Sequence, residues 1–207
     1  MVSATVVVPL LGLHYARHLP AWVANVAALD PAPAEAIVVY HHRNADAVWP
    51  IRNQVVLVET DSDDVAEAFN LGFYLARTEW LAAGSLDDRY LPEAFAQLPA
   101  AEGFDLQGWR ARSHTGELIG SNLEAVTRHR NAVLFHSPFT RDLFDRVGPW
   151  PAVYWHDWGF WLKAKAAGAR MHRAEGVQVI YDDVDPDRLT VRAPADADEQ
   201  IHNLEEQ

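Results

Sequence analysis

Residues 65–92 of this chain run from a helix through a strand into an acidic turn with almost no linker between them. Val65, Ala68, Phe69, Gly72, Phe73 and Ala76 recur at i, i+3, i+4, i+7, i+8 and i+11, so a helix over this span carries one continuous apolar face. Thr78 and Glu79 break that period. Residues 80–83, WLAA, then form a short apolar run suited to a buried strand, and Gly84 punctuates its end. Asp87 and Asp88 follow at the carboxyl end of the strand, which in an open α/β sheet borders the crevice where ligands sit. Adjacent carboxylates repel, and a divalent cation carrying a substrate diphosphate relieves the repulsion. The plainer alternative is a solvated turn, with Asp88 capping a helix that Pro92 begins and that runs to Leu98.

The flanking sequence fits an α/β domain. Thr5 to Val8 is a β-branched run, Leu19, Val23, Val26 and Ala27 repeat at helical spacing, and Ile37 to Val39 read as a second strand. Strand, helix and strand in this order make a parallel crossover unit of a length suited to binding a nucleotide. Residues 55–58 form a third strand, and the acids Glu59, Asp61, Asp63 and Asp64 precede the helix that begins near Val65, where its dipole favours them. Residues 106–112 alternate toward a turn at Thr115-Gly116, which predicts a hairpin returning through residues 117–119 and places Arg110 and Arg112 on one face. Residues 131–136 read as a further strand. Thr140 is placed to cap a helix that ends before Gly148. The pairs His14/His18 and His41/His42 lack a His-Glu-x-x-His pattern, so solvated or hydrogen-bonded histidines are expected rather than zinc.

A second informative stretch, residues 148–168, reads GPWPAVYWHDWGFWLKAKAAG. Asp157 opens a helix there, either as a cap or as a general base, since a carboxylate within hydrogen-bond reach removes the proton of an attacking hydroxyl. His156 beside it is a stronger base in its ordinary state. Trp158, Trp161 and Leu162 share a helix face and are expected in the core. Trp150, Tyr154 and Trp155 precede the helix and are equally suited to packing or to an aromatic platform, whose rings stack on the C–H faces of sugars.

Residues 66–95, with Asn-x-Gly at Asn70, Ala-x-x-Glu-Trp, the apolar strand, the acidic turn and Pro92-Glu93-Ala94, resemble the central signature of family 2 glycosyltransferases of the GT-A fold. Residues 148–168 resemble that family's carboxyl-terminal signature, and Val6 to Pro9 its first strand. The resemblance implies a central mixed, mostly parallel sheet flanked by helices. It implies a nucleotide-sugar donor of UDP or GDP type and a Mn2+ or Mg2+ ion held by Asp87 and Asp88. Asp157 becomes the base of a single inverting displacement, with His156 orienting the acceptor. Pro9, Asn70 and Ser85 are the expected donor contacts, and Trp150, Tyr154 and Trp155 the expected acceptor contacts. Tyr40, by stacking on a base, and His41, by hydrogen-bonding it, are donor contacts on their own chemistry and not by the resemblance, the alternative being a plain strand-end role. The acceptor would be a glycan, a protein or a small molecule. The chain departs from the pattern at three places: Ser85 stands where the first acid of the turn is usual, Tyr40, His41 and His42 where a base-gripping Asp pair is usual, and Val184 where a metal-binding His is usual. Asp182 and Asp183 are expected as solvated acids, the alternative being that one of them replaces that His as an oxygen ligand. These departures keep open a non-catalytic carbohydrate- or partner-binding domain. A sugar nucleotidyltransferase fits less well, because residues 8–13 contain no Lys or Arg for a basic phosphate loop.

Composition narrows the remaining possibilities. The 207 residues, 49% of them apolar, are enough for one domain, expected over 1–185 with an acidic tail at 186–207 that ends as a short helix or stays without structure. A formal net charge of −12 argues against general nucleic-acid binding. The absence of cysteine rules out disulfides and thiolate metal sites and fits a reducing compartment. No apolar run approaches the ~18 residues of a membrane span, and the amino terminus does not read as a signal peptide, so a cytoplasmic location is expected.

Overall fold

The structure is a computed structural model, and it describes residues 2–181 and 193–206. The acids Asp182 and Asp183 and position 184 lie outside the described residues. Strand β1 (Val2–Leu10) is followed by a 3-10 turn (Leu13–His18), helix α1 (Leu19–Ala27) and strand β2 (Pro33–His41). A short helix α2 (Ala45–Val48) leads to β3 (Val56–Thr60), then α3 (Val65–Leu75) and β4 (Trp80–Ala83). Next come the short strands β5 (Arg89–Tyr90), β6 (Leu106–Gly108), β7 (Arg110–Ser113), β8 (Leu118–Gly120) and β9 (Phe139–Thr140). Helices α4 (Arg141–Val147) and α5 (His156–Ala166), strands β10 (Met171–Arg173) and β11 (Val179–Tyr181), and helix α6 (Ala197–His202) complete the order.

Seven strands form the central sheet in the order β10-β6-β9-β4-β1-β2-β3. β1 pairs in parallel with β2 and β4, and β2 with β3, whereas β9 runs antiparallel to both β4 and β6. The sheet is therefore mixed and mostly parallel. A second sheet, β5-β11-β7-β8, contains the hairpin of β7 and β8.

Alternation along the central strands divides the core in two. Val6, Val8, Leu10, Val38 and Ala82 face one cluster with Leu19, Trp22, Val23 and Val26 of α1. Val7, Ile37, Val39, Leu81 and Ala83 face the other, with Phe69 and Phe73 of α3 and Phe160 and Trp161 of α5. Both faces of the sheet are covered, which is why its central strands read as apolar runs. Helix α3 lies against it through Gly72, where an added Cβ would come 2.3 Å from Val7 Cγ1.

Two expected elements differ. Residues 92–98 form successive turns, with Ala94, Ala96 and Leu98 each donating to the carbonyl three residues earlier, instead of an α-helix. Residues 131–136 are a loop that buries Val133, Leu134 and His136 and leaves Asn131 exposed. Leu134 N donates to Ser121 Oγ at 2.9 Å and Val133 N to Asn131 Oδ1 at 3.3 Å, so side chains satisfy the backbone where a strand ladder was expected. Asp88 accordingly caps no helix. The tail does contain a helix, α6, and it packs on the domain with Ala197 and Ile201 buried. None of the helices among the described residues is long and apolar enough to cross a membrane.

Candidate functional site

A cleft of about 620 Å³ opens where the carboxyl ends of β1 and β4 meet. Parallel neighbours send their next residues to the same edge of the sheet, and the register Val7↔Ala83 brings both exits side by side. Pro9, Leu11, Gly12 and Tyr15 line one wall, and Gly84 to Asp88 form the floor. Arg43 donates to the Leu11 carbonyl through Nε and Nη2, at 3.1 and 3.0 Å, and Asn44 Nδ2 donates to Leu10 O at 2.8 Å. The turn after β2 thus fixes the first wall. The opposite wall comes from residues 130–135 and from Tyr154 to Asp157.

Asp87 and Asp88 both reach the cleft, in unlike environments. Ser85 Oγ donates a short hydrogen bond to Asp87 Oδ1. Burial, and then the neighbouring Asp88, push the Asp87 carboxyl above its usual range, with the Ser85 bond opposing them. Asp88 is buried, and its Oδ2 lies 2.9 Å from Nε2 of the buried His136. Neither ring nitrogen of His136 makes an aligned hydrogen bond to a described residue, so the contact is one of ion-pair distance.

Asp157 and His156 stand in the first turn of α5, with Trp155 at the N-cap. Asn131 Nδ2 donates to Asp157 Oδ2 at 2.8 Å. His156 is buried and stacked on Trp150, with ring centroids 5.2 Å apart and planes at 25°. Burial lowers its pKa, while Asp157 and Asp64 act in the opposite direction. Trp155 Nε1 donates to Asp198 Oδ1 at 3.0 Å, and Tyr154 N to Gln200 Oε1 at 2.9 Å, so α6 braces this wall.

Asp87, Asp88, Ser85, Pro9, Tyr154, Trp155, His156 and Asp157 of the expected site residues therefore share one cleft. Four do not line it. Trp150 is 1% exposed, packed between Phe69, Phe73 and His156, so the open aromatic platform falls to Tyr154 and Trp155. Asn70 spends both polar atoms on the Trp150 backbone, at 2.9 and 2.8 Å, and ties α3 to the segment before α5. Tyr40 donates to Glu59 Oε2 at 3.0 Å, and His41 Nδ1 accepts from Arg43 N at 3.3 Å. Arg130, Asn131 and His136 had no signal in the sequence, since they lie in and beside an apolar run that reads as a strand.

A divalent cation fits these residues in a limited way. Among the described residues no three His, Asp or Glu side chains converge as a ligand set. Asp87 and Asp88 supply two carboxylates, whose crowding a cation would relieve. Hard cations complete such a shell with water and substrate phosphate oxygens.

No family model and no curated protein sequence matches this chain. Solved structures do. S. aureus TarS in complex with UDP-GlcNAc superposes with a TM-score of 0.78 at 15% identity, over 98% of this chain and 64% of that one. The UDP complex of TarS gives 0.73 at 16% identity over the same shares. The mannosyltransferase PcManGT from Pyrobaculum calidifontis, in complex with GDP-Man and Mn2+, gives 0.63 at 20% identity, over 90% of this chain and 58% of that one. The chain thus spans less than two thirds of the length of these structures. With these superpositions and its mixed, mostly parallel central sheet, this chain has the GT-A glycosyltransferase fold.

Proposed function

We propose that the protein is a glycosyltransferase that moves one sugar from a nucleotide-sugar donor to an acceptor hydroxyl. The observation carrying this reading is that the Asp87-Asp88 pair and Asp157, far from it in sequence, line one cleft at the carboxyl edge of the parallel strands. The donors named with the similar structures, UDP-GlcNAc and GDP-Man, give the class.

Asp87 would be the direct ligand for Mn2+ or Mg2+, and Asp88, at ion-pair distance from His136, would support it. Such a cation supplies charge neutralisation to the departing diphosphate. Pro9, Leu11 and Gly12 bound the donor's end of the cleft, and Ser85 keeps the Asp87 carboxylate oriented. Tyr154 and Trp155 offer aromatic faces to the acceptor. Asn131 occupies Asp157 Oδ2, which leaves Oδ1 to accept the proton of the acceptor hydroxyl. The hydroxyl oxygen bonds to the anomeric carbon as the bond from that carbon to the diphosphate oxygen breaks. Attack from the face opposite the leaving group inverts the anomeric centre. His156, kept neutral by burial, orients the acceptor with a ring nitrogen.

A thermal-shift panel of UDP, GDP, dTDP and CMP, with and without manganese, tests the reading on the wild type and on Asp87→Ala. A ligand at ~100 times its dissociation constant adds about 2.7 kcal/mol of stability. One nucleotide should give a manganese-dependent rise that the variant loses. No rise with any nucleotide would remove the donor site and leave a binding domain of the same fold.

A further inference from the structure

The cleft is strongly acidic for a site that takes a phosphorylated substrate. Asp87, Asp88, Glu117 and Asp157 all line it, and burial lowers the basicity of His156. Arg130 is the only lysine or arginine among the described residues that line it. Its guanidinium makes no hydrogen bond or ion pair with any described residue, despite the carboxylates in the same cleft. Three other arginines are held by the fold: Arg43 by the Leu11 carbonyl, Arg141 by the Ala76 carbonyl at 2.5 Å and Arg146 by the Asp105 carboxylate at 2.7 Å.

The backbone that carries Arg130 is well anchored. Thr127 N donates to Arg130 O at 3.1 Å and Arg130 N to Thr127 O at 3.2 Å, closing a tight turn. The next residue, Asn131, is fastened to Asp157. A planar guanidinium presented from a fixed turn matches the oxygens of a phosphoryl group in bidentate fashion, as an ammonium cannot.

We propose that Arg130 is a phosphate-binding residue, which takes the oxyanion of a phosphoryl group carried by one of the two substrates. This rests on the glycosyltransferase reading. The phosphoryl group comes either from the donor's diphosphate or from a phosphorylated acceptor, and the bonding is the same in both.

Calorimetric titration of UDP, GDP and dTDP into the wild type, Arg130→Gln, Arg130→Lys and Arg77→Gln separates the cases. Arg77 lies before β4, at the end of that strand remote from the cleft, and serves as a charge control. In a second arm, glycerol 3-phosphate is titrated into each protein saturated with the nucleotide it binds. Loss of a charge-assisted phosphate contact should weaken binding roughly 10- to 100-fold in Arg130→Gln, with partial recovery in Arg130→Lys and no change in Arg77→Gln. Weakening in the nucleotide arm assigns the contact to the donor, and weakening in the glycerol 3-phosphate arm assigns it to the acceptor. Wild-type and Arg130→Gln affinities that agree in both arms overturn the inference while leaving the transferase reading intact. A wild type that binds none of the three nucleotides is instead the failure of that reading.

Discussion

Asn131 and His136 come from one loop, and each touches a different acid of the cleft, Asp157 and Asp88. Replacing Asn131 frees Asp157 Oδ2 without altering the floor. We expect Asn131→Ala to lower turnover of the donor by tenfold or more while its nucleotide-dependent thermal shift stays as in the wild type; equal turnover would mean that Asp157 needs no such support. The pH dependence of stability follows from His156. Burial holds its folded pKa below the ordinary value, so the unfolded chain binds the proton first as the pH falls. Its contribution to stability is therefore complete above about pH 6.5 and is lost progressively below that point. Urea midpoints at several pH values check this against His156→Phe, which keeps the stack on Trp150 and cannot titrate. The variant should lose less stability on acidification.

Helix α3 links the cleft to the sheet, and its limits follow local rules. Asp64 accepts from Glu67 N at 2.9 Å as N-cap, and the apolar stripe that begins at Val65 is the buried face. Gly72 is where the helix meets the sheet, because Val7 Cγ1 and Val39 Cγ2 occupy the place of a Cβ. Gly72→Ala should destabilise the protein by about 1–3 kcal/mol through overpacking, and adding Val7→Ala should restore part of the loss. Denaturant midpoints of the single and double variants measure both; a neutral Gly72→Ala would mean that α3 can shift away from the sheet. Elements of this kind were legible because their signals are short-range: α3, β4 and the Thr140-capped α4 fall where periodicity and capping put them. The same locality makes residues 131–136 read as a strand although they form a loop. An apolar run is buried either way, and only distant partners such as Ser121 decide whether its backbone joins a sheet.

Across the molecule, the cleft is assembled from pieces that chain order keeps apart: the ends of β1 and β4, the 130–135 loop, the start of α5 and, bracing it, α6. The last of these makes the carboxyl-terminal segment part of the wall that carries Tyr154 and Trp155. Ile201 is buried in the same core cluster as Trp158 and Phe160. Ile201→Ala should speed hydrogen exchange in α6 far more than in α3, and uniform acceleration would show instead that α6 unfolds only with the whole domain. The chain by itself determined the layered α/β class, the parallel crossover, the helix caps and the acids at the strand ends, because each depends on residues within a few positions of one another. It did not determine that His136 would hold Asp88, that Asn131 would hold Asp157, or that Trp150 would be buried while Tyr154 and Trp155 reach the cleft. Those pairings arise where β1, β4 and α5 converge, and their energies depend on burial and distance, which exist only once the sheet has formed.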